Sequence, residues 1–421
     1  MSTKERIILI LLASLNFTHI LDFMIMMPLG NYLMPHFNIS AQEFSLVVAA
    51  YTFSAGVCGF TAAFFVDRFD RKKVLLFGYT GFLIGTLACA VAPSYHLLLA
   101  ARILAGMFGG LIGAQVLSIV ADLIPYDRRA SAMGMIMAAF SVASVFGVPF
   151  ALYLSKTLSW HAPFYFVAGL GIILMPLLIR YIPKMDGHLK AAREHKTTPL
   201  ELIKGIGSDK NQLLALSLSA TMMLGHFLII PFLNPFMEFN MGFSKTQTPM
   251  VYLVGGFLTL FSSPIIGKLS DKSGKFKMFS YMILLGVFPI AFITNMPHIP
   301  FALVLCVTGF WFVVSSGRAI PAQAMISNVV PPQKRGSFMS FNSSIQQMFV
   351  GLASVIVGFI VVRKPDNTIM HYNITGYMSI AVILSCLVIA YFLNRAMGNV
   401  AATAQKNSAT ETAALPVEET V

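Results

Sequence analysis

The chain has 421 residues, of which 57% are hydrophobic and 11% charged, with 29 Lys and Arg against 17 Asp and Glu. Soluble domains average about 25% charged residues; a mean hydropathy of +0.76 inverts that balance. A soluble enzyme, a secreted disulfide scaffold and a disordered regulator are therefore excluded, and the composition is that of a polytopic membrane protein.

Lys4 and Arg6 precede the first apolar run, at about 7–29. That run is longer than a signal-peptide core and no small-residue cleavage site follows it, so it reads as a membrane helix. Further runs at about 44–65, 74–91, 97–123, 132–154 and 163–182 complete a first set of six. Each is close to the ~20 residues that cross a bilayer. The stretch 183–211 is polar and basic, and six more runs follow at about 212–237, 249–266, 278–295, 300–329, 338–362 and 372–393. The expected organisation is a six-helix half at 1–182, a basic cytoplasmic linker at 183–211, a second six-helix half at 212–395 and a disordered cytoplasmic tail at 396–421.

With both termini in the cytoplasm, 23 of the 29 Lys and Arg fall on the cytoplasmic side and four outside. That asymmetry sets orientation under the positive-inside rule. It also accounts for the net charge of +12 without a nucleic-acid partner. Cys58, Cys89, Cys306 and Cys386 all lie in apolar runs with neither metal-ligand spacing nor a loop to staple.

The two sets repeat each other. AFFVDRFDRKK at 63–73 reappears as GKLSDKSGKFK at 267–277, and both sit between the second and third runs of their set. His19 and Pro28 match His226 and Pro235, Gln115 matches Gln323, and Arg129 to Met133 matches Arg335 to Met339, at offsets of 206 to 208. Duplicated halves around an axis normal to the membrane are a transporter architecture with a midplane binding site.

On these residues the chain resembles the major facilitator superfamily. Asp67, Arg68, Arg71 and Lys72 match the family's loop between spans 2 and 3, with Ala63 and Asp70 where it has glycines. The second copy keeps Gly267, Leu269, Asp271, Gly274 and Lys275, and span 4 carries Arg102 followed by Gly106, Gly109 and Gly110. Gly147 and Pro149 in span 5 resemble the antiporter motif of the twelve-span drug:proton antiporter group and its sugar efflux branch, with Ala151 replacing a later glycine. The resemblance implies an all-α fold of twelve transmembrane helices in two pseudo-symmetric halves, a cytoplasmic gate at the loop motifs, and outward transport. Asp122, Asp127, Arg128 and Arg129 are expected to join that gate.

Ionisable residues inside apolar spans are costly, at about 2.5–3.5 kcal/mol each on insertion scales, and mark function by default. Asp22 is the leading candidate for proton coupling, with a buried hydrogen-bonding role as the alternative. Asn16, His19 and Asp22 follow one another at spacings of three and are expected to face a central cavity. The position matching Asp22 in the second half is Ile229, so symmetry does not demand an acid. His19 titrates near physiological pH and is the candidate relay; like His226, it can equally be a hydrogen-bonded cavity residue. Arg102 can reach the interface, pair with Asp22 or hold an anion. Arg318, deep in span 10, is expected to bind an anionic group or a structural acceptor. Gln115 and Gln323 are expected to line the cavity or bond across helices. The 25 methionines, among them Met24, Met26 and Met27 beside Asp22, suit an adaptable apolar wall.

No phosphate-binding loop, metal-ligand cluster or nucleophile motif is present in the sequence, so neither a cofactor nor an enzymatic activity is expected. The reading is a monomeric secondary transporter of the inner membrane that exchanges a small amphipathic molecule, drug or sugar for protons. A nutrient importer on the same fold and a non-transporting receptor are the alternatives.

Overall fold

The computed structural model describes residues 2–62, 66–185, 205, 207–330 and 335–413. Twelve helices among them are long and apolar enough to cross a membrane: spans 1 to 6 are Thr3–Met26, Ala41–Ala62, Arg71–Ala90, Tyr95–Val120, Ala132–Thr157 and Ala162–Tyr181, and spans 7 to 12 are Lys210–Phe239, Thr248–Ser273, Lys275–Thr294, Phe301–Ser327, Phe338–Ile360 and Tyr372–Met397. With an even number of spans, both termini emerge at one face, called the terminal face below. Most of the expected 183–211 linker lies outside the described residues.

The helices differ from the apolar runs in informative places. Span 1 ends at Met26, and after a break around Pro28 a short helix, Gly30–Phe37, extends it. Proline lacks the N–H that would continue the ladder, so a break falls where hydropathy shows an unbroken run. Span 5 contains a π turn at Ala143–Gly147, immediately before Pro149. Helix 12 runs on to Ala413 rather than stopping at the expected boundary of 395. The alanines at 396, 401, 402 and 404 carry high helix propensity without needing an apolar face. Between spans 11 and 12 the chain forms a small antiparallel hairpin, Val362–Arg363 against Ile369–Met370, which hydropathy does not reveal.

Large apolar side chains point outward along the spans: Ile173, Phe288 and Phe359 are 66%, 61% and 69% exposed. Exposed apolar surface on that scale needs lipid rather than water. Inside, small residues set the helix spacing. A methyl added at Gly106 or Gly110 of span 4 would collide with backbone atoms of Tyr51 or Ala55 in span 2. The seam between the halves is built in the same way. Span 2 meets span 11, where a Cβ at Gly56 would stand 2.7 Å from Met348 and one at Gly351 2.8 Å from Thr52. Span 5 meets span 8, where a Cβ at Gly256 would stand 2.7 Å from Val145. Such contacts supply the van der Waals packing on which helix association in lipid depends.

The candidate functional site

Between the halves lies a cavity of about 500 Å³, walled by spans 1, 5, 7, 8, 10 and 11. Phe23, Met24, Met27 and Phe140 form an apolar wall from the first half. His226, Tyr252, Thr259, Trp311 and Arg318 face them from the second, with Gln346 and Gln347 from span 11. Among the described residues lining it, Arg318 is the one charged side chain. It is 2% exposed, and its Nη2 donates to Nδ1 of His226 at 3.2 Å. The His226 ring in turn stacks on Trp311, with centroids 5.4 Å apart.

Asp22 lies elsewhere. Its side chain is fully buried in the first half, where Arg102 Nη1 donates to Oδ2 at 2.7 Å and Thr86 donates to Oδ1 at 3.3 Å. Arg102 is equally buried, so it does not reach the interface, and its guanidinium lies 4.2 Å from the centroid of the Tyr51 ring. His19 sits one turn before Asp22, with ring contacts to Tyr51 and Phe82 and no hydrogen-bond partner for either nitrogen among the described residues.

The expected stripe of Asn16, His19 and Asp22 therefore does not line this cavity. Three-residue steps fall short of a helical turn, so two of them drift by about 120° around the axis. Asn16 accordingly turns to span 5, donating to the carbonyl of Ile136 at 3.3 Å, while Asp22 turns to spans 3 and 4. Arg102 and Gln115 are buried outside the cavity lining, and Gln323 is exposed, with a long 4.0 Å contact to Met339. Of the residues expected in the substrate cavity, His226 and Arg318 line it.

At the terminal face the first loop motif ties helices together. Arg71 Nε donates to Asp122 at 2.6 Å, joining the start of span 3 to the end of helix 4 (Tyr95–Leu123). Lys72 Nζ donates to the carbonyl of Ile179 near the end of span 6 at 2.7 Å. Arg68 is exposed, and Arg128 pairs with Glu5 at 3.5 Å. The side chains of Asp67, Asp127 and Arg129 lie outside the described residues. In the second copy Asp271 at the end of span 8 pairs with Lys275 at the start of span 9 at 3.2 Å, across the break at Gly274, which carries φ +94°. Gly147 packs on span 1, where an added Cβ would stand 2.8 Å from Leu21.

Sequence reasoning missed the polar cluster at the opposite face. Glu238 accepts from Asn31 across the halves, from Thr248 at 2.7 Å and from Asn234 at 3.4 Å. Asn234 also donates to the carbonyl of Pro28 at 2.8 Å. Arg363 reaches from the hairpin to the carbonyls of Met34 and Ile39 at 3.1 and 2.9 Å. A signal was available: Asn31 and Glu238 are separated by 207 residues, the same offset as His19 and His226. Among the described residues, the hydrogen bonds between the halves thus cluster at the face away from the termini.

Comparison with known proteins agrees with this architecture. The chain is 25% identical to the uncharacterized MFS-type transporter YceJ of Bacillus subtilis, over 86% of this chain and 90% of that one. It is 20% identical to a probable sugar efflux transporter of Helicobacter acinonychis, over 78% and 81%. A bacterial homologue of the human lysosomal transporter Spinster, solved inward-facing and unoccupied, superposes with a TM-score of 0.73 at 16% identity, over 94% of this chain and 98% of that one. The model of the Major Facilitator Superfamily matches residues 12–354. The chain therefore belongs to the Major Facilitator Superfamily, as an integral membrane secondary transporter that moves small molecules by alternating access.

Proposed function

We propose that this transporter exports a small amphipathic molecule in exchange for protons, across an inner membrane, with both termini in the cytoplasm. The observation that carries the reading is the fully buried Asp22–Arg102 pair. A carboxylate in a membrane span is retained against its insertion cost, and such residues mark proton pathways. When Asp22 takes a proton, Arg102 loses its counter-charge in a dry environment. Leaving one member of a buried pair uncompensated costs about 3–5 kcal/mol. A penalty of that size is enough to shift a two-state equilibrium between inward and outward access by two or more orders of magnitude.

The coupling route is short. Asp22 faces Arg102, while Phe23, Met24 and Met27, the residues that follow it on the same stretch of chain, wall the cavity. A shift of span 1 on protonation is therefore felt directly by bound substrate. The π turn before Pro149 and the contact of Gly147 with Leu21 put a deformable point of span 5 against that segment. Efflux is the direction favoured by the likeness to the sugar efflux relative and by the Gly147–Pro149 motif.

The test is proton flux in energised everted vesicles carrying wild type or Asp22→Asn at equal abundance, read with a pH-sensitive dye against a panel of drugs, sugars and metabolites. Substrate-dependent loss of the gradient is expected with wild type and not with the variant. Flux that persists in Asp22→Asn removes Asp22 from the coupling. Uptake of the active compound driven by an inward proton gradient in whole cells would reverse the direction.

A further inference from the structure

The second-half wall of the cavity holds four side chains whose polar atoms are buried and find no hydrogen-bond partner among the described residues: Tyr252 Oη, Thr259 Oγ1, Trp311 Nε1 and Arg318 Nη1. They come as two pairs with the same spacing of seven residues, Tyr252 and Thr259 on span 8, Trp311 and Arg318 on span 10. Seven residues are about two helical turns, which returns each pair to one face of its helix. The two helices are neighbours, joined where the hydroxyls of Ser263 and Ser316 meet at 3.2 Å. Every one of the four groups can donate a hydrogen bond, and the indole and guanidinium can only donate.

Buried donors left without acceptors are expensive, at about 1–3 kcal/mol apiece. Arg318 adds a charge that cannot be neutralised at accessible pH. Among the described residues no carboxylate lies within ion-pair distance of it, and His226 offers only the lone pair of a neutral ring nitrogen. The contrast with Arg102 excludes a general tolerance for bare guanidinium in this protein, because that arginine is given Asp22 at 2.7 Å. The facing wall of Phe23, Met24, Met27 and Phe140 lacks any ionisable group and suits an apolar body.

We propose that the second-half wall is an anion subsite and that the transported molecule is an amphipathic organic acid, its carboxylate held by Arg318 with Trp311, Tyr252 and Thr259 as further donors, and its apolar part against the methionine and phenylalanine wall of the first half. The inference rests on this cavity being the transport site, and is independent of proton coupling and of direction. A planar guanidinium presents two parallel N–H groups to a carboxylate, which gives geometry as well as charge. A cationic or neutral amphipath of the same size would leave Arg318 buried and unanswered, so the wall discriminates by penalty as well as by attraction.

The full-length transporter in zwitterionic-lipid nanodiscs is titrated by calorimetry with three matched probes, 2-naphthoate, 2-naphthalenemethanol and 2-naphthylmethylammonium, with empty nanodiscs as the blank. The carboxylate is expected to bind about tenfold or more tighter than either partner, the range of a hydrogen bond to a charged group. Arg318→Gln should bring the carboxylate to the affinity of the alcohol, and Arg318→Lys should retain part of the preference. Trp311→Phe, which keeps the ring and loses the N–H, should weaken the carboxylate a fewfold and leave the alcohol unchanged; it carries the test if Arg318→Gln does not fold. Equal affinity for the three probes, preference for the cation, or no binding of any of them overturns the proposal, as does a carboxylate preference that survives in both Arg318→Gln and Trp311→Phe. Asp22→Asn should keep the carboxylate preference. Loss of proton flux in that variant therefore reports on coupling, and loss of probe discrimination reports on the subsite.

Discussion

Each half of the transporter buries one arginine inside a membrane span, and the two are handled in opposite ways. In the first half Arg102 is paired with Asp22, which also accepts from Thr86, and lies over the ring of Tyr51, away from the cavity. In the second half Arg318 lines the cavity beside His226, with no acid among the described residues that line it. Duplication makes the difference legible: the position equivalent to Asp22 is Ile229, and the one equivalent to Arg318 is Gly110, which must stay small to fit against Ala55. The same scaffold thus carries an internally compensated charge on one side and a charge left for an external partner on the other. A binding site distinguishes itself from a structural ion pair by what it fails to satisfy on its own.

The sharpest way to break that comparison is to remove the compensation. Asp22→Asn leaves Arg102 buried without a counter-charge and should lower stability by about 3–5 kcal/mol. Adding Arg102→Gln should recover much of that loss, because two neutral groups can hydrogen-bond where one charge cannot. Thermal unfolding of the purified variants in nanodiscs gives the coupling energy through the double-mutant cycle. At Arg318 the comparison predicts the reverse. Arg318→Gln alone removes an unpaired charge and should be neutral or stabilising. A loss at Arg318→Gln matching that at Asp22→Asn would mean that Arg318 also has a structural counter-charge.

The seal between the halves shows the same asymmetry at smaller scale. Asn31 and Glu238 occupy equivalent positions and bond to each other, an amide on one side and a carboxylate on the other. Glu238→Gln keeps the shape and loses the charge assistance to Asn31, Thr248 and Asn234. It should weaken the seal by about 1.5–3 kcal/mol, the value of a hydrogen bond to a charged group. Labelling of a cysteine placed at Ser144 in the cavity, by an impermeant maleimide added at the face away from the termini, should accelerate accordingly. Unchanged labelling would move the seal to Arg363 and its bonds to Met34 and Ile39.

The spans were readable because a bilayer demands about 20 apolar residues in a row, and composition alone meets or fails that demand. The duplicated motifs were readable for the same reason, being anchored to numbered spans. What the string could not give was direction. Asn16, His19 and Asp22 look like one face until the drift of three-residue steps carries them around the helix, so Asp22 was legible as an acid inside a span but not as remote from the cavity. Tyr252, Thr259 and Trp311 were illegible as a site because each is unremarkable in an apolar span. Only the geometry shows that their polar atoms find no partner among the described residues.

The smallest effects test whether the two loop motifs solve one problem in two ways. Asp70 and Gly274 are equivalent positions, 204 residues apart, each just before a third span of its half. Gly274 turns the chain with φ +94°, which a side chain adopts only under strain. Asp70 instead has φ −58° and caps span 3, accepting from the N–H of Lys72 at 2.8 Å and from that of Met185 at 3.2 Å. Asp70→Ala should therefore cost about 1 kcal/mol through the lost cap. Gly274→Ala should cost about 1–3 kcal/mol through backbone strain. The reciprocal changes should not be interchangeable: Asp70→Gly loses the cap and the tie to Met185 without needing the freedom that glycine provides, and Gly274→Asp keeps the strain. Denaturation midpoints of the four variants would decide it, and equal tolerance of both swaps would show that the two loops share one backbone course after all.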